Sequence, residues 1–133
     1  MTAFDTNVLI YARDGSDRSR QAKALDLIAS TADGVLLWQV ACEFVAASRK
    51  LASQGFTAED AWRRLTEFLS IFPLVTPSSQ VLESARKMHL DQRWSFWDAT
   101  IVAACLEFGV RRLYSEDLPG RAPAGIEIVN PFT

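Results

Sequence analysis

The 133-residue chain has one histidine, two cysteines, five prolines and six glycines, and each scarcity narrows what it can be. Cys42 and Cys105 are not in CxxC spacing, and each lies in an apolar, helix-like segment. Both therefore read as reduced core thiols and not as redox or zinc partners. The lone His89 falls at the edge of a helical face formed by Leu82, Ala85 and Met88 and reads as structural or surface-exposed. No run approaches the roughly 18 apolar residues that cross a bilayer, and no basic region followed by an apolar stretch suggests a leader, so the expected location is cytoplasmic. Low-complexity and Pro/Ser/Gly-rich linker stretches are missing too. One compact domain over residues 1–133 is expected, long enough to bury a core without staples. Basic excess is also lacking. With 14 Lys and Arg against 16 Asp and Glu, a general polybasic attraction to nucleic acid or membrane is absent.

What the chain does have is four acidic residues set in apolar surroundings: Asp5 in AFDTNVLIYA, Glu43 in WQVACEFVAA, Asp98 in SFWDATIVAAC and Asp117 after RRLY. A carboxylate removed from water is costly unless its charge is compensated. A divalent cation is the simplest compensation for four of them. With those four set aside, 12 of the 16 acidic residues remain against 14 basic ones, so binding to a polyanion stays open.

Hydrophobic periodicity suggests how these positions are carried. Residues 3–11 read as a strand buried on both faces, with Asp5 near its start. Residues 19–32 follow a helical pattern closed by Gly34, and Val35 to Leu37 form a short strand. Gln39 to Ser53 is helical up to Gly55, and the Thr57 to Asp60 capping-box spacing opens a further helix through Ile71, giving a helical hairpin. Leu74 to Thr76 is a strand, Pro77-Ser78 opens a helix, Ser95 to Phe108 is another helix stopped by Gly109, and Val110–Tyr114 and Ile126–Val129 are the last strands. Strands alternating with helices imply right-handed crossovers and a mostly parallel central sheet, a three-layer α/β/α sandwich. Ligands in such folds gather outside the carboxyl ends of the strands, where the strand order reverses.

Each carboxylate also has a structural reading. Asp5 can bond the backbone of Thr6 or Asn7. Glu43 can lie on a narrow solvated stripe shared with Lys50. Asp98, three residues after Ser95, is a favourable first-turn acid, with Trp97 and Ile101 directed to the core. Asp117 can be a turn acid beside Pro119 and Gly120, and Glu116 next to it is an equal candidate on composition. All four lie on different elements that one doubly wound sheet can bring together, which favours a shared site. Oxygen donors without His or Cys suit Mg²⁺ or Mn²⁺ better than zinc.

The segments Asp5-Thr-Asn-Val-Leu-Ile-Tyr, Ser95-Phe-Trp-Asp98-Ala-Thr-Ile-Val-Ala-Ala and Tyr114-Ser-Glu-Asp117-Leu, with Glu43 in a helix and the closing Ile128-Val-Asn-Pro-Phe132, resemble the PIN domain. They resemble in particular the VapC ribonuclease toxins of toxin–antitoxin pairs. The resemblance runs from about residue 3 to 132. It implies that Asp5, Glu43, Asp98 and Asp117 hold Mg²⁺ or Mn²⁺ and that Ser115 matches the family's small polar residue after the strand. It also implies an RNA substrate, an antitoxin partner and a homodimer. Thr6, Asn7 and Ser115 are expected to orient the site, with Glu116 as a competitor of Asp117. Arg13, Arg18, Arg20 and Lys23 are candidates to hold the RNA backbone. Two other classes stay open. One is a phosphatase of the haloacid-dehalogenase type, in which Asp5 would be a nucleophile but where position 7 is Asn and not the second acid that chemistry uses. The other is a non-catalytic binding domain presenting Trp38, Trp62, Phe68, Phe72 and Trp94.

Overall fold

The computed structural model describes residues 1–118, 120 and 122–133. The elements in chain order are β1 (Thr2–Phe4), α1 (Thr6–Tyr11), α2 (Arg18–Ser30), β2 (Gly34–Leu37), α3 (Trp38–Ala47) continued by a 3-10 segment (Ser48–Gln54), α4 (Ala58–Ile71), β3 (Leu74–Val75), α5 (Ser79–Asp91), α6 (Phe96–Glu107), β4 (Arg112–Tyr114) and β5 (Glu127–Val129). The strands form one sheet in the order β3-β2-β1-β4-β5, and every neighbouring pair is parallel. This is the α/β/α sandwich expected from the alternation of strands and helices. The chain starts in the middle of the sheet, moves outward through β2 and β3, then crosses back to add β4 and β5 on the other side of β1. The order therefore reverses between β1 and β4.

Burial follows position in the sheet. All of β1 and β2 is buried, whereas the edge strands β3 and β5 are only partly covered. The start signals of the later helices act as read. Thr57 and Asp60 form a reciprocal capping box at 2.9 and 3.1 Å, Ser78 caps α5 and Ser95 caps α6. Gly55, with φ +80°, ends the 3-10 segment in the left-handed region that favours glycine. The α3–α4 hairpin closes on an edge-on contact of Phe44 with Phe68, centroids 5.4 Å apart.

Several expectations are corrected. The apolar run from residue 3 to 11 is not one strand, because β1 ends at Phe4 and α1 begins at Thr6. Asp5 turns the chain: its backbone is extended (φ −73°, ψ 161°) and its carboxylate accepts from Thr6 N at 2.7 Å, which makes it a helix N-cap. Asp5 therefore lies just beyond the strand and not within it. Gly34 does not close α2, which ends at Ser30; it is the first residue of β2. The helix beginning near Gln39 tightens to 3-10 geometry at Ser48 and does not run on to Ser53 as an α-helix. Trp97 is 63% exposed and not in the core, although Ile101 is buried as expected. Cys42 is exposed, while Cys105 is buried and its thiol is pushed up to about 12, first by burial and then by the charge of Asp5. The turn read at Asp117 includes Pro119, which lies outside the described residues.

Gly34 has a packing role that its assignment to β2 reveals. A Cβ there would meet the Phe72 ring at 2.5 Å, and that ring is buried against Phe4 at a centroid distance of 5.3 Å. Gly34→Ala is expected to cost about 1–3 kcal/mol in urea unfolding. The same change in a Phe72→Leu background should cost less. An unshifted unfolding midpoint for Gly34→Ala would contradict this packing account.

Candidate active site

At the carboxyl end of β1 the next residue is Asp5, and at the carboxyl end of β4 the next residue is Ser115. The two meet across the reversal in strand order. Asp5 N donates to Tyr114 O at 2.8 Å, and the Ser115 hydroxyl donates to Asp5 Oδ2 at 2.7 Å while Thr6 N donates to Oδ1 at 2.7 Å. Ser115 Oγ in turn accepts from the backbone N–H groups of Asp117 and Leu118 at 3.3 Å, so one buried hydroxyl organises both the carboxylate and the loop beyond β4. Asp5 is 7% exposed. Burial raises its pKa, the Ser115 and Thr6 hydrogen bonds oppose that rise, and the nearby charges of Glu43 and Asp98 add to it. The donors that hold Asp5 are both neutral.

Glu43 projects from α3 with both oxygens engaged. Thr6 Oγ1 donates to Oε2 at 2.7 Å, and Gln39 Nε2, one helical turn earlier, donates to Oε1 at 2.8 Å. Glu43 is half-buried and lines a cleft with Lys50, so the shared wet face read from the sequence exists but opens into a concavity. Asp98 sits in the first turn of α6, and its backbone N–H donates to Ser95 Oγ at 3.2 Å. Among the described residues only the Thr57–Asp60 pair forms a reciprocal box; the Asp98 carboxylate is not drawn back onto the cap. It remains available to the cleft.

The adjacent acids after Ser115 diverge. Asp117 accepts from Asn7 Nδ2 at 3.1 Å and lines the cleft, whereas Asn7 Oδ1 accepts from Glu116 N at 3.4 Å. The Glu116 carboxylate turns the other way. It accepts from Tyr11 Oη at 2.6 Å and Arg20 Nε at 2.8 Å, and these two contacts hold its pKa below the usual range. Tyr11 is pushed up to about 12 by the same hydrogen bond. Arg20, which also pairs with Asp17 and lies over the rings of Tyr11 and Phe132, is committed to this clamp. Lys23 donates to Phe132 O at 3.3 Å, and Arg13 pairs with Glu67 at 3.4 Å. Among the described residues Lys50 is the cation that lines the cleft, a role the sequence reading did not assign.

The cleft has a volume of about 490 Å³ and is lined by Asp5, Thr6, Asn7, Glu43, Lys50, Asp98 and Asp117 with a few apolar side chains. All four singled-out carboxylates reach it. Ser115 acts from behind Asp5, and Glu116 belongs to the neighbouring clamp. His89 is not among the lining residues; its Nδ1 lies 2.9 Å from Trp94 O. Among the described residues no three acidic, histidine or cysteine side chains already close on one point. The donors nevertheless fit a hard divalent cation. They are all oxygens, Asp5 is buried with only neutral partners, and Glu43 and Asp98 are near enough to perturb it. Gln39 and Thr100 were missed by the sequence reading, although a glutamine four residues before a glutamate on one helix is a readable pair.

The family model for the PIN domain matches residues 3–118. A comparison with curated proteins finds no match. Among solved structures, the chain is similar to a toxin–antitoxin complex from Klebsiella pneumoniae, with a TM-score of 0.70 at 21% identity over 98% of each chain. It is also similar to VapBC2 from Rickettsia felis bound to a DNA fragment from its promoter, with a TM-score of 0.69 at 17% identity over 97% of each chain. FitAcB from Neisseria gonorrhoeae gives a TM-score of 0.63 at 15% identity over 99% of each chain. At these identities the likeness carries the fold.

The environment of Asp5 makes a prediction about pH. A carboxyl whose folded pKa is raised contributes stability that is full below its unfolded value, about 3.9, and that is lost as pH rises through the folded value. The ionised form of Asp5 is therefore disfavoured in the metal-free fold relative to the unfolded chain. Metal-free Asp5→Asn should be at least as stable as the wild type at pH 7, and its advantage should shrink as pH falls towards 4. Chemical denaturation of both proteins across that range measures the difference. An advantage that grows on acidification would contradict the account.

Proposed function

The chain belongs to the PIN domain family, and from that premise we propose that it is a Mg²⁺- or Mn²⁺-dependent endoribonuclease, acting as the VapC-type toxin of a toxin–antitoxin pair. The observation that carries the proposal is the arrival of Asp5, Glu43, Asp98 and Asp117 in one cleft at the reversal of strand order, with Asp5 buried among neutral donors and like charges. The residues to hold the cation are Asp5, Glu43 and Asp98, with Asp117 binding directly or through water. A bound Mg²⁺ or Mn²⁺ supplies Lewis-acid polarisation of a phosphoryl oxygen and lowers the pKa of an attacking water.

The protein's own part is to fix the donors and present the substrate. Ser115 and the Thr6 N–H hold Asp5, Thr6 Oγ1 and Gln39 hold Glu43, and Asn7 steadies Asp117. Lys50 offers a cation on the cleft wall for an RNA phosphate. A nucleophilic role for Asp5 is poorly served by this chain, because position 7 is Asn and not the second acid that such chemistry uses as acid/base.

Partners also form part of the proposal. A cytoplasmic location is part of the proposal; no helix among the described residues is long and apolar enough to cross a membrane. Trp38 and Trp62 are exposed, unlike Phe68, Phe72 and Trp94, and two apolar grooves of about 440 and 470 Å³ border α3. Such surfaces suit protein partners, here a small antitoxin that covers the acidic cleft and a second copy of the chain. The solved structures similar in fold include toxin–antitoxin complexes, which supports the same reading.

Purified protein freed of any partner should cut RNA with Mg²⁺ or Mn²⁺ and stop when EDTA is added. Outer-shell partners of a metal typically matter 10–100-fold, so Asp5→Asn, Glu43→Gln and Asp98→Asn should each lose more than about 100-fold in cleavage rate. Asp117→Asn should lower the rate while Glu116→Gln leaves it nearly intact and instead destabilises the fold by about 1–3 kcal/mol. Equal cleavage with and without chelator would overturn the metal mechanism.

A further inference from the structure

Glu43 is the site carboxylate on the longest flexible side chain, and a free glutamate loses rotamer entropy when it is fixed. Something must orient it before it can act as a ligand of defined position. Gln39 lies four residues earlier on α3, on the same helix face, and its Nε2 donates to Glu43 Oε1 at 2.8 Å and to the Trp97 carbonyl at 3.2 Å. Its Oε1 accepts from the Thr100 hydroxyl at 2.5 Å, and Thr100 Oγ1 also lies 2.7 Å from the Trp97 carbonyl. The amide orientation is dictated by these neighbours. Turning it over would set Oε1 against a carboxylate oxygen and a carbonyl oxygen, three acceptors with no proton between them.

Trp97 and Thr100 flank Asp98 in the first turn of α6. The same amide that holds Glu43 is therefore anchored on the turn that carries Asp98, while the other Glu43 oxygen is held by Thr6, the neighbour of Asp5. Glu43 is thus tied to both segments that bear the other buried or half-buried carboxylates of the cleft, Asp5 and Asp98. The donor is also neutral. A lysine or arginine at position 39 would fix Glu43 equally well but would compete with a cation for its charge, whereas an amide orients the carboxylate and leaves the charge in place.

We infer that Gln39, locked by Thr100, is a positioning residue that sets the Glu43 carboxylate relative to Asp98 for divalent-cation binding. The inference rests on the metal-site reading above and adds two residues to it. It is tested by titrating Mn²⁺ into metal-free protein by calorimetry, without RNA, alongside the melting temperature of each metal-free variant and steady-state cleavage at saturating Mn²⁺. Gln39→Leu should weaken Mn²⁺ binding about 10–100-fold. Its metal-free melting temperature should stay within a few degrees of wild type, and its loss in cleavage should fall on kcat, with KM for RNA little changed. Thr100→Val, which leaves α3 untouched, should weaken binding in the same direction but less, and Thr100→Ser, which keeps the hydroxyl, should restore affinity to within about twofold.

Unchanged Mn²⁺ affinity in Gln39→Leu, equal losses in Thr100→Val and Thr100→Ser, or a loss that tracks a fall in metal-free melting temperature would each overturn the positioning role. The nuclease reading fails separately. Wild-type protein that binds Mn²⁺ through this relay and cuts no RNA would leave the role of Gln39 standing, whereas wild-type protein that binds no Mn²⁺ would overturn both.

Discussion

The buried carboxylate of Asp5 is the constraint on which the rest of the site depends. It caps α1, receives the Ser115 hydroxyl across the reversal in strand order, and feels the charges of Glu43 and Asp98. Two neutral hydrogen bonds soften the cost of burying that charge but do not cancel it, since the net effect is a raised pKa. A metal-binding role gives a physical reason to keep so costly a group in place. At the proposed metal site that cost would be relieved by a cation attracted to all of the clustered charges at once.

The surrounding helices deliver the remaining donors by ordinary means. A serine cap starts α6 and places Asp98 in its first turn, the α3 register brings Glu43 under Thr6, and Asn7 reaches Asp117 across the loop that follows β4. Glu116, beside Asp117, serves a different purpose. Its bonds to Tyr11 and Arg20, with Phe132 packed edge-on against Tyr11 at 4.9 Å, fasten the C-terminal segment to α1 and α2. One acid of the adjacent pair is spent on the fold and the other faces the cleft.

Much of this was legible in the sequence because local signals and global fold agree. The Thr57–Asp60 box, the Ser78 and Ser95 caps and the Gly55 stop all describe their elements closely. The run from residue 3 to 11 misled because unbroken apolar sequence does not separate a buried strand from a buried helix. The polar Asp5-Thr6-Asn7 step inside it was the helix-start signal. Trp97 and Cys42 were placed in the core because their segments are apolar on nearly every side, which hides the face that solvent meets. The preference for Asp117 over Glu116 came from the resemblance and not from composition, since the partners that turn Glu116 away, Tyr11 and Arg20, lie about a hundred residues away. Gln39 left a visible trace in its spacing from Glu43, but its meaning depends on Thr100, which only the packing of α3 against α6 brings near.

The central claim, that these carboxylates share one cation site, is tested most directly by the metal-induced shift in melting temperature. Asp98→Asn is the informative partner to the wild type, because the α6 cap uses the Asp98 backbone N–H and not its carboxylate, so neutralising it is expected to leave the metal-free fold intact. The account predicts that saturating Mn²⁺ raises the melting temperature of the wild type by several degrees and that of Asp98→Asn by little or nothing, with the two metal-free proteins melting close together. An equal Mn²⁺ shift in both proteins, or no shift in the wild type, would contradict it.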